Sequence, residues 1–167
     1  MRTAIFTVFI ILLLTVGFYY YKVIMFGERN LSTINTNSRD ELRVIEVGGV
    51  KINVEIADTK EKREVGLMNR TELCENCGML FVFDEEGVYN FWNMNTYIPL
   101  DVIYISENME VVEVKNLPKY ICHLIETDTV CEPTNTNPTK KAKFVLEVNA
   151  GFVKKYDIKV GDFVSGL

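Results

Sequence analysis

Residues 78–105 read GMLFVFDEEGVYNFWNMNTYIPLDVIYI, the densest apolar and aromatic stretch outside the N-terminus. Met79 to Phe83 is continuously apolar and bounded by Gly78 and by Asp84-Glu85-Glu86-Gly87, which is how a strand buried on both faces reads. A second arm, Val88 to Met94, mixes Tyr89, Phe91 and Trp92 with Asn90 and Asn93, and Gly87 supplies the permissive backbone of a hairpin loop. A third, Val102 to Ser106, follows the corner Ile98-Pro99-Leu100; Pro99 has no amide proton to give a ladder and belongs between strands. Three consecutive arms predict an antiparallel meander.

Working outward, Val44–Val47 and Val50–Ile56 flank Gly48-Gly49, and Ile52, Val54 and Ile56 alternate with polar residues. That pattern predicts a two-residue hairpin with one buried face. A helix is expected over Thr59–Met68, capped by Asp58 three residues before Glu61, with Val65 and Met68 buried and Lys60, Glu61, Lys62 and Glu64 exposed. Downstream come a strand at Met109–Val114, a long surface excursion from Leu117 to Lys141 broken by three prolines, a strand at Ala142–Val148, and a closing segment over Asp157–Val164. Seven or eight short strands and one short helix predict a mainly β domain over residues 42–167, an antiparallel sandwich or a partly closed barrel.

The N-terminus is of another kind. Ala4 to Tyr21 is an uncharged, mostly aliphatic and aromatic run of eighteen residues, close to the roughly 20 that span a bilayer. It ends in Phe18-Tyr19-Tyr20-Tyr21, an interfacial aromatic cluster, where a cleaved signal would show small residues. Residues 1–26 are therefore expected to be an uncleaved single-pass anchor, the alternative being a signal cut near Gly17 or Gly27. Residues 27–41 are polar, rich in Asn, Ser and Thr, and expected to be a flexible linker. The chain carries a net charge of −5, and residues 42–167 hold 14 Lys and Arg against 20 Asp and Glu. An acidic domain is repelled by phosphate backbones, which argues against a nucleic-acid partner.

Four cysteines, Cys74, Cys77, Cys122 and Cys131, all fall beyond the linker, and an even number suits an oxidising compartment. The expected location is the cell membrane with the domain outside the cytoplasm. Two disulfides are expected, Cys122 to Cys131 clamping the base of the long loop, although four cysteines permit three connectivities. Zinc held by these cysteines and His123 is the alternative, at a spacing far longer than in common zinc ribbons. Cys74-Glu75-Asn76-Cys77 has redox-motif spacing but follows a helix and precedes a strand, the reverse of the thioredoxin arrangement.

Polar residues inside apolar stretches mark the candidate site, because burying an unpaired amide or carboxyl costs about 1–3 kcal/mol. Asn95, Asp101, Glu147 and Asn149 qualify, with Arg63 and Arg70 as counter-ions. Two readings stand side by side. In one, Asp101 and Asn149 satisfy turn backbone and Glu147 pairs with an arginine. In the other, Arg70, Trp92, Asn95, Asp101, Glu147 and Asn149 form a pocket for a small polar ligand such as a glycan. Trp92 is expected first as core and second as a stacking platform. No nucleophile-elbow serine is present, and no catalytic residue, metal ligand or cofactor is assigned.

The ordered blocks Gly66-Leu67-Met68-Asn69-Arg70, Gly78-Met79-Leu80-Phe81-Val82-Phe83, Phe91-Trp92 with Asn95-Thr96, Ile98-Pro99-Leu100-Asp101-Val102, Val145 to Gly151 and Gly161-Asp162 resemble the family called domain of unknown function 192, over roughly Val44 to Val164. The resemblance implies a mainly β, sandwich-like domain, often behind a signal or anchor, and no established activity. The family pattern Phe-Trp-Met-Lys-Asn-Thr is here FWNMNT, with Met94 in place of the lysine. The expected function is a membrane-anchored, extracytoplasmic binding or accessory module. The alternatives are a hydrolase of envelope polymers drawing on Asp84, Asp101 or Glu147, and a zinc- or disulfide-stabilised partner of another membrane protein.

Overall fold

The computed structural model describes Phe18, Tyr21 and residues 42–125 and 128–167. The expected anchor, apart from Phe18 and Tyr21, and the linker over 27–41 lie outside the described residues. Among the described residues no helix is long and apolar enough to cross a membrane.

The first hairpin forms as its glycines dictate. Strands β1 (Arg43–Val47) and β2 (Val50–Ala57) pair antiparallel with Val47 opposite Val50, and Gly48 and Gly49 both take positive φ, +56° and +83°. That is the backbone of the two-residue turn whose twist matches the flanking strands. Helix α1 (Lys60–Val65) is shorter than expected, and its cap is Thr59, whose hydroxyl accepts from the Lys62 amide at 3.2 Å. Thr59 is the last extended residue, so it and not Asp58 occupies the capping position. The helix stops at Gly66 with φ +48°. Val65 therefore stays exposed, and it is Leu67, in the turn after the helix, that is buried.

The central stretch departs from a meander. Strand β3 (Cys77–Gly87) pairs parallel with β2, and β4 (Leu100–Ile105) is not its neighbour. Between them lies β8 (Ala142–Asn149), antiparallel to both, with Glu147 opposite Met79 on one side and Val102 on the other. Strand β5 (Val111–Leu117) flanks β4, and β9 (Val164–Ser165) flanks β1, giving the order β5-β4-β8-β3-β2-β1-β9. Strands β6 (Cys122–Ile125) and β7 (Asp128–Cys131) form a separate hairpin within the long excursion.

Residues 88–99 do not supply the expected second strand; they lie across the sheet and pair through one bridge, Trp92 with Asn135. Ring packing holds them there instead of a ladder. Tyr89 stacks on Phe83 with centroids 3.5 Å apart, and Phe91 meets Phe81 edge-on at 4.8 Å. The buried Asn93 amide donates to the Pro118 carbonyl at 2.8 Å and its oxygen accepts from the Thr134 amide at 2.7 Å. Amides that read as polar positions of a strand are thus fasteners to a distant loop.

The sheet curls until its edges meet. Val111 donates to the Asp162 carbonyl at 2.9 Å, Gly161 to the Val111 carbonyl at 2.8 Å, and Val164 to the Met109 carbonyl at 2.8 Å. One continuous seven-stranded half-barrel results, the barrel-like member of the two expected architectures and not two stacked sheets, with one parallel pair among its ladders. Its inner core gathers Ile45, Val54, Leu80, Ile103, Leu146 and Val148, together with Phe152 of a second short helix, α2 (Phe152–Lys155). A second core, around Phe81, Val102, Tyr104 and Val145, lies on the opposite face with Leu67 and Phe91.

Gly78 leaves no room for a side chain between β3 and β8: a Cβ there would stand 2.6 Å from the Glu147 carbonyl oxygen. That contact is with backbone, which cannot swing aside. Gly78→Ala is expected to lower the urea midpoint of unfolding by an amount equivalent to about 2 kcal/mol or more; an unchanged midpoint would show that the two strands are held less tightly.

Candidate functional site

Of the six residues singled out in the sequence, four are occupied elsewhere. Asp101, 1% exposed, accepts from the Asn116 side chain at 2.6 Å and from the Val153 amide at 2.9 Å, tying β4 to β5 and to the first turn of α2. Asn149 donates to the Leu73 and Cys74 carbonyls and staples the loop that precedes β3. Arg70 makes a 2.6 Å ion pair with Glu55. Asn95 takes φ +53°, the left-handed conformation asparagine tolerates, and its carbonyl accepts from the Asn69 amide at 2.7 Å.

Glu147 and Trp92 are brought together. Strand alternation puts Glu147 on the same face as Val145, Phe81 and Tyr104, under the covering segments rather than in the half-barrel interior. Both line a cavity of about 30 Å³ walled by Phe81, Phe91, Thr96 and the turn Val65–Met68, with Arg63 and Glu64 also on its lining. A groove of about 300 Å³ shares Arg63, Glu64, Phe81, Phe91 and Trp92 with this cavity and adds Lys60, Phe83, Tyr89 and Asn90. The small cavity is the inner end of an aromatic cleft. Trp92 is 48% exposed, so it is a wall of the cleft rather than core.

Glu147 is the unusual group. It is 4% exposed and has neither hydrogen-bond nor ion-pair partner among the described residues. The expected arginine partner is not there. Arg63 spends its Nη1 on the Asp58 and Val82 carbonyls, both at 2.8 Å, and lies over the Phe83 ring at 5.1 Å, while Arg70 is held by Glu55. Among the described residues no buried side-chain oxygen is fully sealed without a partner, so the Glu147 oxygens keep a trace of exposure, and the cavity is where they can have it. Burial pushes its carboxyl up to about 8. A protonated acid therefore sits at the bottom of the cleft at neutral pH. Its neighbour Tyr104 is pushed up to about 12 by burial and is locked to the Thr136 hydroxyl at 2.6 Å.

Phe91 and Thr96 were not singled out as site residues; their function as walls follows from residues 88–99 crossing the sheet. Cys74 and Cys77, and Cys122 and Cys131, pair as disulfides with Cα separations of 5.1 and 4.2 Å. That pairing uses the thiolates the zinc alternative required. Among the described residues no three of His, Cys, Asp and Glu gather as a metal site.

A curled seven-stranded sheet with an aromatic cleft on its outer face defines a small mainly β domain. The chain belongs to the family domain of unknown function 192, described as an uncharacterized ACR, whose profile matches residues 43–166. It is similar to a solved structure from Sinorhizobium meliloti 1021, a protein provisionally assigned as a transcription regulator, at 30% identity over 75% of this chain and 91% of that one, with a TM-score of 0.58. It is also similar to a protein of unknown function from Novosphingobium aromaticivorans DSM 12444, at 28% identity over 80% of this chain and 91% of that one, with a TM-score of 0.59. No curated protein matches the chain.

Two variants separate scaffold from site. Asp101→Ala strands the Asn116 side chain and the Val153 amide and is expected to cost about 2–3 kcal/mol in denaturant unfolding. Glu147→Gln should do something different. Because the folded acid holds its proton up to about pH 8 while the unfolded one loses it near 4.5, the wild type loses stability as pH rises through that window. The slope approaches about 1.4 kcal/mol per pH unit. The glutamine variant, which has nothing to ionise, should match the wild type near pH 4 and exceed it at pH 8; parallel stability curves would show that Glu147 is not held neutral.

Proposed function

We propose that this chain is a membrane-anchored, extracytoplasmic binding module that takes a small polar ligand into the cleft between Trp92 and Glu147. The observation that carries the reading is Glu147 itself, a carboxyl buried without a partner at the inner end of an accessible aromatic groove. Such a group lowers stability, and a site that lowers stability is kept where it serves function. Ligand sites are mostly apolar hollows with a few convergent polar groups, which describes this cleft. The eighteen-residue apolar run at Ala4–Tyr21 supports the anchor, and the paired cysteines support an oxidising compartment. The acidic net charge of −5 favours a small ligand over nucleic acid, which separates this reading from the assignment carried by the Sinorhizobium protein.

Trp92 is the only tryptophan, so intrinsic fluorescence reports on the cleft alone. A panel of mono- and disaccharides, amino sugars and amino-acid amides is expected to contain compounds that shift the Trp92 emission and raise the unfolding temperature. Phe91→Ala should weaken their binding about tenfold or more, by loss of an aromatic wall. A panel in which no compound changes either signal would remove the binding reading.

A further inference from the structure

We infer that the group received at the inner end of the cleft is a primary ammonium, so that the ligand is an amine whose body lies along the aromatic groove. This deepens the binding reading and rests on it. Three features of the cavity select the ammonium over a hydroxyl, a carboxylate or a larger cation.

The first is the sign of what the cavity offers. An ammonium carries three donors and no acceptor, whereas a hydroxyl needs a donor for its lone pairs. Once ionised, Glu147 only accepts, and Thr96, also on the lining, donates its hydroxyl proton to the Met94 carbonyl at 3.3 Å, which leaves its oxygen as an acceptor. A carboxylate ligand brings no donor for these acceptors and meets the negative faces of the aromatic walls. The second is the wall. Phe81, Phe91 and Trp92 surround the space, and aromatic faces attract a cation within about 6 Å of the ring, most strongly when it is desolvated. The third is size. About 30 Å³ holds one water-sized group, since roughly 10–15 Å³ of such space suffices for a water. A –NH₃⁺ head fits that space, and a trimethylammonium does not.

The charged groups around the acid permit this. Arg63 and Glu64 are the charged residues on the cavity lining, and Tyr104 of β4 is the other titratable group that feels Glu147. Arg63 is turned onto two carbonyls and the Phe83 ring, and burial alone accounts for the raised carboxyl, so the guanidinium does not already fill the place of the cation. Glu64 is exposed and faces Lys60 at 3.7 Å. On binding, the carboxyl releases its proton to solvent and the ammonium becomes the counter-ion of the carboxylate. Affinity for an amine that stays protonated should therefore climb, approaching tenfold per pH unit, between pH 6 and the ionisation of the acid near 8.

The test is a set of Trp92 fluorescence titrations of the full chain in detergent, using glucosamine and Nα-acetyl-lysine amide as the two sources of a primary ammonium. Glucose, Nα-acetyl-6-hydroxynorleucine amide and Nα-acetyl-trimethyllysine amide are the controls. At least one primary amine is expected to bind tenfold or more tighter than its hydroxyl and trimethyl counterparts, and whichever does identifies the source. Glu147→Gln, which keeps the shape and gains stability, should abolish both the preference and the rise with pH. Binding of neutral sugars with no preference for amines, or a preference that survives Glu147→Gln, would overturn this inference and leave the binding reading standing. Absence of binding by every probe would overturn both.

Discussion

The simultaneous pairing of β8 with β3 and β4 is the constraint from which the rest of the structure follows. A strand from near the end of the chain occupies the slot between two strands that are close in sequence, so Phe144 to Val148 are flanked on both sides. Central placement removes water from β8 between Phe144 and Val148, which is why a glutamate in its middle has no route to solvent except outward, off the sheet face. The same placement requires Gly78 on β3, since the two backbones pass too closely there for a Cβ. Register, burial of the acid and the glycine are one fact seen from three residues.

The parallel pairing of β2 with β3 is the second determinant. Parallel neighbours cannot be joined by a tight turn and need a crossover that passes over a face of the sheet. Here the crossover is α1 and the turn Gly66–Met68, and Leu67 packs into the outer core. Residues 88–99 return across that same face, fixed by ring contacts to Phe81 and Phe83 and by the Asn93 and Thr136 bonds to the long loop. The cleft is the gap where these two covers fail to close over Glu147. Its shape depends on loops that are pinned by aromatic packing and side-chain hydrogen bonds, not on the ladder beneath.

Much of this was legible in the residues and some was not, for identifiable reasons. The Gly48-Gly49 hairpin, the strand at Ala142 and the mainly β class follow from local turn chemistry and period-two burial, which short windows contain. The order of strands does not, because Met79–Phe83 is equally apolar whether its neighbour is the next arm or β8. Residues 88–94 looked like a strand because aromatic rings and amides alternate there; only the distant Thr134 and Thr136 show that the amides fasten a cover. Among site residues, Glu147 stood out because a carboxylate inside an apolar strand is chemically anomalous. Asp101 stood out for the same reason, yet two donors satisfy it. Sequence marks the anomaly and cannot say whether a partner waits across the fold.

That distinction between Asp101 and Glu147 is what separates architecture from chemistry in this domain. The two acids lie on adjacent strands, both nearly inaccessible, on opposite faces of the sheet. On the inner side a carboxyl group with two donors binds β4, β5 and α2 together. On the outer side the acid is met by phenyl rings and an indole, so desolvation acts unopposed and the proton stays on. An aliphatic residue at position 147 would pack against Phe81 and Val102 at no electrostatic cost. The proposed binding reading gives a carboxyl there a role, as a partner for a group that enters at the opening between α1 and residues 91–96.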